Sequence, residues 1–149
     1  MKQFFQDKKN ILILVLLTLA AVSFYENGPA ELLWILSGVF FCGLLDFLIN
    51  KIVFKKQLFP KSAIITGFIL SGILSYHENW WWLLIFSAAA IISKHLIRIN
   101  NKHIFNPANF GLFAATLLGF PLIWGIESNI YIIIIFYKMV IYIRITILY

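Results

Sequence analysis

The sequence predicts an all-α integral membrane protein, a multi-pass helical bundle of five to six spans. Three observations lead to this prediction: 62% of the 149 residues are hydrophobic, only 12% are charged, and the charges gather between long apolar runs. Soluble domains carry about 25% charged residues, so this chain has too little polar surface to face water on all sides. The predicted solvent is therefore the lipid bilayer.

The connections between the apolar runs alternate in charge. Residues 1–10, 50–61 and 94–103 are predominantly basic. The connections between and after them hold the acidic residues Glu26, Glu31, Glu78 and Glu127. Basic connections lie on the cytoplasmic side of membrane proteins, so we expect a cytoplasmic N-terminus. The net charge of +6 is then a topology signal, and no nucleic-acid partner is predicted.

One transmembrane domain, residues 1–149, is predicted from six apolar segments: 11–25, 32–49, 62–76, 80–93, 105–126 and 130–149. The first segment runs into Glu26 without a small-x-small motif, so it does not resemble a cleavable signal peptide. The last segment carries Lys138 near its middle and stops at Tyr149. It is either a strained sixth span or half of a longer segment.

Segment 62–76 is short, because a helix needs about 20 residues to cross ~30 Å of hydrocarbon. We expect the aliphatic parts of lysine side chains at one end, and Trp80–Trp82 at the other interface, to extend the segment to the thickness of the hydrocarbon. A half-membrane helix buried among its neighbours is the alternative.

Two stripes of small residues recur every four positions and are predicted to pack helices closely. One comprises Ala63, Gly67, Ser71 and Ser75, and the other comprises Gly111, Ala115 and Gly119. Small residues allow backbones to approach within the bilayer. We expect the two stripes to face one another.

Asp46 is the carboxylate that falls inside an apolar run, where ionised groups are costly and often functional. It lies about one turn from the basic end of its segment, near Lys51, and an interfacial ion pair with Lys51 is favoured. A role in an ion pathway is the alternative. The last-turn residues Lys94 and His95 are assigned to the helix dipole.

Conventional catalytic and metal-binding patterns are not found. His77, His95 and His103 lack the spacing of a ligand pair, so no metal site is predicted. The single cysteine, Cys42, excludes a disulfide within this sequence. No Ser-His-Asp set, paired acids or glycine-rich phosphate loop is evident, so no catalytic residue is assigned.

The stretch Asn106-Pro107 marks a helix entry. Proline favours the first helical turn and Asn caps the helix that follows. The entry is either an ordinary capped span or a ligand site at a helix N-terminus.

Three stretches together resemble the RnfD/NqrB family: SAIITG at 62–67, SKHL at 93–96, and HIFNPA at 103–108 with Gly111. They occur in the family's order over about residues 40–125. Members are membrane subunits of ion-translocating electron-transport complexes, built from two inverted halves similar to urea transporters. The resemblance implies a single-repeat or truncated relative in a prokaryotic plasma membrane, with one such half.

The resemblance also allows a prediction about flavin attachment. Family members carry covalent FMN on a threonine in a Ser/Thr-Gly/Ser-Ala-Thr context, which none of Thr18, Thr66, Thr116 and Thr146 matches. No covalent cofactor is expected, whereas a non-covalent flavin remains compatible with the resemblance. The expected site lining comprises Thr66, Asn106, Pro107 and Asn109.

The expected function is that of an RnfD-like subunit in electron-transport-coupled ion movement. Such a chain would be at most a non-catalytic or flavin-associated subunit of a redox-driven pump. Two alternatives remain at this point: a small transporter or channel formed by a homo-oligomer, and a membrane scaffold without chemistry of its own. The expected partners are the lipid bilayer and other membrane subunits or further copies of the chain.

Overall fold

The computed structural model describes residues 7–55, 59–75, 77–99, 102–103, 105–123 and 138. Within them the chain forms five helices: α1 Lys8–Asn27, α2 Pro29–Ile52, α3 Lys61–Ile73, α4 Trp80–Leu96 and α5 Pro107–Leu117. The predicted helical class is confirmed, with one addition. Strands β1 Arg98–Ile99 and β2 Lys102–His103 form an antiparallel hairpin where the sequence predicted a loop. Most of segment 130–149 lies outside the described residues, so the sixth span stays a prediction.

Helices α1 and α2 are long and apolar enough to cross a membrane, with 20 and 24 residues. At 1.5 Å per residue they extend about 30 and 36 Å. They are separated by Gly28 alone, which has a φ of +84°. Pro29 follows at the first position of α2, where its missing N–H costs no hydrogen bond. The predicted connection 26–31 is therefore wrong in extent, and Glu31 belongs to the first turn of α2.

Helices α2 and α3 approach one another closely. A Cβ atom placed on Gly67 would lie 2.6 Å from the carbonyl oxygen of Gly38 and 2.6 Å from Val39 Cα. Ser71 lies in the same interface, where its Oγ donates to Gly67 O within α3 at 2.6 Å and lies 3.3 Å from Ile35 O of α2. The small residues of α3 are thus used for packing as predicted, and their partner is α2.

The second stripe packs elsewhere. A Cβ atom on Gly111 would lie 2.9 Å from the carbonyl oxygen of Phe86 in α4, and Ala115 is fully buried. The expectation that the two stripes face one another is wrong. Gly67 lies against Gly38 and Val39 of α2, whereas Gly111 lies against α4 and against Leu70, a residue of α3 outside the first stripe. Ser75 and Gly119 are also wrong as helix-packing positions, since α3 ends at Ile73 and α5 at Leu117.

The end of α5 shows why segment 105–126 is not a continuous helix. Gly119 has a φ of +81°, and its N–H donates to Thr116 O at 3.0 Å. The N–H of Phe120 reaches back to Ala115 O at 3.0 Å. These two bonds form a Schellman motif, which closes the helix before Pro121.

Helices α3 and α5 contain 13 and 11 residues, or about 20 and 17 Å. Beyond α3 the backbone becomes extended, and Leu74 forms an antiparallel bridge with Leu122. Leu74 is buried, and its carbonyl oxygen accepts a hydrogen bond from Trp34 Nε1 at 3.1 Å. Non-helical backbone is tolerated at membrane depth only when protein satisfies it. The end of α3 at Ile73 is compatible with the half-membrane alternative for segment 62–76, which stays a prediction.

Candidate functional site

A buried charge cluster joins α2 to α4. Asp46 is 2% exposed, and its Oδ1 atom lies 2.8 Å from Lys94 Nζ and 2.7 Å from His95 Nε2. The face of α2 that carries Asp46 is otherwise buried against neighbouring helices, through Trp34, Ile35, Gly38 and Cys42. The two donors occupy the last turn of α4, where cations also complement the helix dipole. The carboxylate is therefore held by two charge-assisted contacts on one oxygen.

The predicted partner of Asp46 was wrong. Lys51 is exposed, and its Nζ lies 5.8 Å from the ring centroid of Phe47. Residues five apart on a helix are rotated by about 140°, so Lys51 cannot follow Asp46 onto the buried face. The assignment of Lys94 and His95 to the helix dipole alone was incomplete. Both side chains also contact Asp46, which lies far from them in the sequence.

Asp46 and His95 line a cavity of about 450 Å³. The cavity lies where α1 and α3 begin and α2 and α4 end, and we call this side of the bundle the basic end. Its lining residues are Asp7, Lys9, Asp46, Asn50, Phe54, Phe59, Pro60, Lys61, Ser62, Lys94 and His95. The ring of Phe54 stacks on His95, with 5.5 Å between centroids. The cavity thus brings three basic connections of the sequence, around residues 9, 55 and 95, to one end of the fold.

A second ion pair lies in the lining of this cavity, between Asp7 Oδ2 and Lys61 Nζ at 2.7 Å. The hydrogen bond from Lys61, with a second from the Lys9 N–H, holds the pKa of Asp7 below its ordinary value of 3.8. The carboxylate is therefore more readily ionised in the folded chain than in the unfolded one. Its stabilising contribution is complete above pH 3.8 and is lost as the pH falls through the lower folded pKa.

We accordingly expect Asp7→Asn to be less stable than the wild type near neutral pH. The difference should shrink as the pH falls below 3.8 and vanish below the lower pKa of Asp7 in the folded chain. Asn caps a helix about as well as Asp, so the substitution removes mainly the charge. Thermal unfolding in detergent across this pH range measures the difference. A deficit that persisted unchanged at low pH would assign it to the cap and not to the ion pair.

Glu31 is a second buried carboxylate, which the sequence analysis treated as part of a connection. It is 3% exposed, and its Oε2 atom has no hydrogen-bond partner among the described residues. Glu31 lies about 22 Å from Asp46 along α2, at the opposite end of the same buried face. The four-residue spacing Gly38, Cys42, Asp46 is the sequence signal that marks this face.

Three of the four residues expected to line a cofactor site lie at the start of α5, and the fourth, Thr66, lies in α3. The Thr66 hydroxyl donates to Ser62 O in its own helix at 2.9 Å, and Pro107 is buried at the start of α5. Asn106 caps α5, and Asn109 is exposed. None of the four lines the cavity at the basic end, so they remain a proposal.

Asn106→Ala is expected to lower the free energy of unfolding by about 0.5–2 kcal/mol. The side-chain Oδ1 of Asn106 accepts the Ala108 N–H at 3.1 Å, and alanine leaves that amide unsatisfied. Asn109→Ala, on the exposed side of the same turn, is the matched control and should change stability little. Equal losses from the two substitutions in detergent unfolding would argue against the cap.

Comparison with known proteins identifies the family of this chain. The chain matches the family described as NQR2, RnfD, RnfE over residues 4–126, which extends beyond the stretch of about 40–125 that carried the resemblance. No curated protein and no solved structure matches significantly. The family match covers most of the chain, including all five helices and the buried charge cluster. The chain therefore belongs to the NQR2, RnfD, RnfE family of integral membrane proteins.

Proposed function

We propose that this chain is an RnfD-like membrane subunit of an electron-transport complex, and that Asp46 takes part in its ion movement. The observation that carries the proposal is the buried Asp46 cluster, which opens to a cavity at one end of a membrane bundle. Ionisable groups at membrane depth are expensive and usually functional. Family membership supplies the class of complex.

The chemistry of the cluster suits a group that exchanges a proton or cation. Lys94 and His95 both contact the same oxygen of Asp46. A proton or cation that arrives through the cavity therefore competes with the Lys94 ammonium group and the His95 ring nitrogen for one carboxylate.

The buried face of α2 offers a second position at the acidic end, the side of the bundle that holds Glu31 and the Leu74–Leu122 bridge. Between the two carboxylates, Ser71 packs on Gly38, and Cys42 is fully buried. We propose that Glu31 and Asp46 are the two ends of one pathway. The close contact between Ser71 and Gly38 is the point that must open for passage.

The short helices α3 and α5 support a fold of the half-repeat kind. We propose one half of an inverted-repeat, urea-transporter-like arrangement, which another subunit or a second copy completes. The basic end is placed at the cytoplasmic side of a prokaryotic plasma membrane, on the charge rule.

The cofactor proposal is that no flavin is covalently attached. Thr116, which follows two alanines, donates its hydroxyl to Leu112 O within α5 at 3.0 Å. We expect a denaturing gel of the purified chain to show no flavin fluorescence at the monomer position. A fluorescent band that disappears in Thr116→Val would contradict this expectation. A flavin bound without a covalent link remains part of the proposal, at Thr66, Asn106, Pro107 and Asn109.

The experiment is a deletion of the chain from its native cells, with complementation by a tagged copy. Membranes from deleted cells should lose redox-driven ion uptake, and the tagged copy should restore it and co-purify with redox subunits in mild detergent. Isolation of the chain alone, together with unchanged ion uptake after deletion, would refute the proposal. Solute flux through liposomes that contain only this chain would instead favour an oligomeric transporter.

A further inference from the structure

The cavity at the basic end, through which the proposed ion route reaches Asp46, has further lining residues outside the Asp46 cluster. Besides the Asp46 cluster, the lining contains Lys9, Lys61 and Asp7 near the starts of α1 and α3 and the aromatic residues Phe54 and Phe59. Phe54 and Phe59 are exposed. A volume of about 450 Å³ falls within the range of small-molecule sites.

Positive charge exceeds negative charge in this lining. Asp7 is paired with Lys61, and Asp46 with Lys94 and His95. Lys9 contributes the excess positive charge, because its side chain forms no ion pair with a carboxylate among the described residues. An anion in this lining meets the ammonium group of Lys9 and lies near Lys61 and Lys94, which the two carboxylates already hold.

The combination of lysines and exposed aromatic rings narrows the class of anion. Lysine side chains are common phosphate ligands, and basic pockets between membrane helices on the cytoplasmic side bind phospholipid headgroups. The cavity is also larger than a phosphate ion, which leaves room for the rest of a ligand beside the lining residues Phe54 and Phe59. An anion joined to an apolar body fits both parts of the lining.

We propose that the cavity at the basic end binds a phosphate-bearing ligand, with the phosphate near Lys9 and Lys61 and the apolar part against Phe54 and Phe59. Two sources present this chemistry: the headgroup of an anionic phospholipid and a soluble phosphate compound. The proposal is independent of ion translocation, because it requires only the folded chain.

The test measures ligand affinity by thermal stabilisation of the purified full chain in detergent at about 0.15 M salt, where charges farther than ~8 Å are largely screened. The probes are phosphatidylglycerol, phosphatidylcholine as the zwitterionic comparison, and inorganic phosphate against chloride at equal ionic strength. Stabilisation by phosphatidylglycerol alone identifies a lipid headgroup. Stabilisation by inorganic phosphate as well identifies the phosphate group itself as sufficient.

Matched lysine variants locate the site. Lys9→Gln should lower the affinity for the stabilising probe about fivefold. Lys8→Gln, its exposed neighbour outside the cavity, should lower that affinity less than twofold. Lys61→Gln and Lys51→Gln form a second pair with the same expectation. Asp7→Asn should strengthen binding, because it releases Lys61, and a gain cannot arise from structural damage.

An equal loss of probe affinity in the cavity-lysine variants and in their controls would overturn the proposal, because it would indicate attraction to a diffuse surface charge. Failure of both phosphatidylglycerol and inorganic phosphate to stabilise the wild-type chain would overturn it as well. Either outcome leaves the proposed ion function untouched, since that function is measured in the assembled complex.

Discussion

Gly67→Leu is expected to prevent α2 and α3 from packing, and Gly67→Ala to destabilise the chain by about 1–3 kcal/mol or more. Even the single added carbon of alanine would meet backbone atoms of Gly38 and Val39 at 2.6 Å. Backbone cannot move aside as a flexible side chain does, so the helices must separate. That separation also removes the contact between Ser71 Oγ and Ile35 O.

Gly72→Ala is the matched control in the same helix. No atom lies within 4 Å of a Cβ atom added there, and alanine favours helix over glycine. It should leave stability unchanged or raise it slightly. Thermal unfolding in detergent compares the two variants directly. If Gly67→Ala and Gly72→Ala unfold at the same temperature, the close approach of α2 and α3 is not a feature of the folded chain.

Asp46→Ala is expected to cost about 3–5 kcal/mol, the usual penalty for removing one partner of a buried ion pair. Lys94 would retain its charge in a largely buried position, since its side chain is 11% exposed. Adding Lys94→Met should recover most of the loss, because apolar replacement of both partners is often neutral or stabilising.

The measurement is again unfolding in detergent, with Lys51→Met as the control, since Lys51 is exposed and contacts the Phe47 ring. A double variant that is less stable than Asp46→Ala alone would contradict the pairing of Asp46 with Lys94.

The apolar runs and small-residue spacing predicted the helices and much of what they bury, because burial in lipid follows from local composition. They did not predict helix partners. Gly67 packs on Gly38 and Gly111 on Phe86, and nothing in the spacing of either stripe distinguishes one neighbour from another. The Gly119-Phe120-Pro121 sequence did contain the signal for the end of α5, as glycine and proline after a helix commonly mark its termination.

The candidate site shows the same limit. Asp46 was identified from its apolar surroundings, but its partners are more than 45 positions away. Local sequence favoured Lys51, which helix geometry places on another face. Glu31 was missed because a single glycine separates α1 and α2, so a residue assigned to a connection lies inside a helix.

The central claim is that Asp46 takes part in ion movement and does more than join α2 to α4. The most direct measurement uses the Asp46→Asn/Lys94→Met double variant, which removes both charges, in membranes that contain the assembled complex. Redox-driven ion uptake and electron transfer are measured side by side, with assembly checked by co-purification. We predict an assembled complex in which ion uptake per electron falls at least about tenfold, a barrier change of about 1.4 kcal/mol. Ion uptake per electron equal to that of the wild type would contradict the claim and leave Asp46 with a structural role.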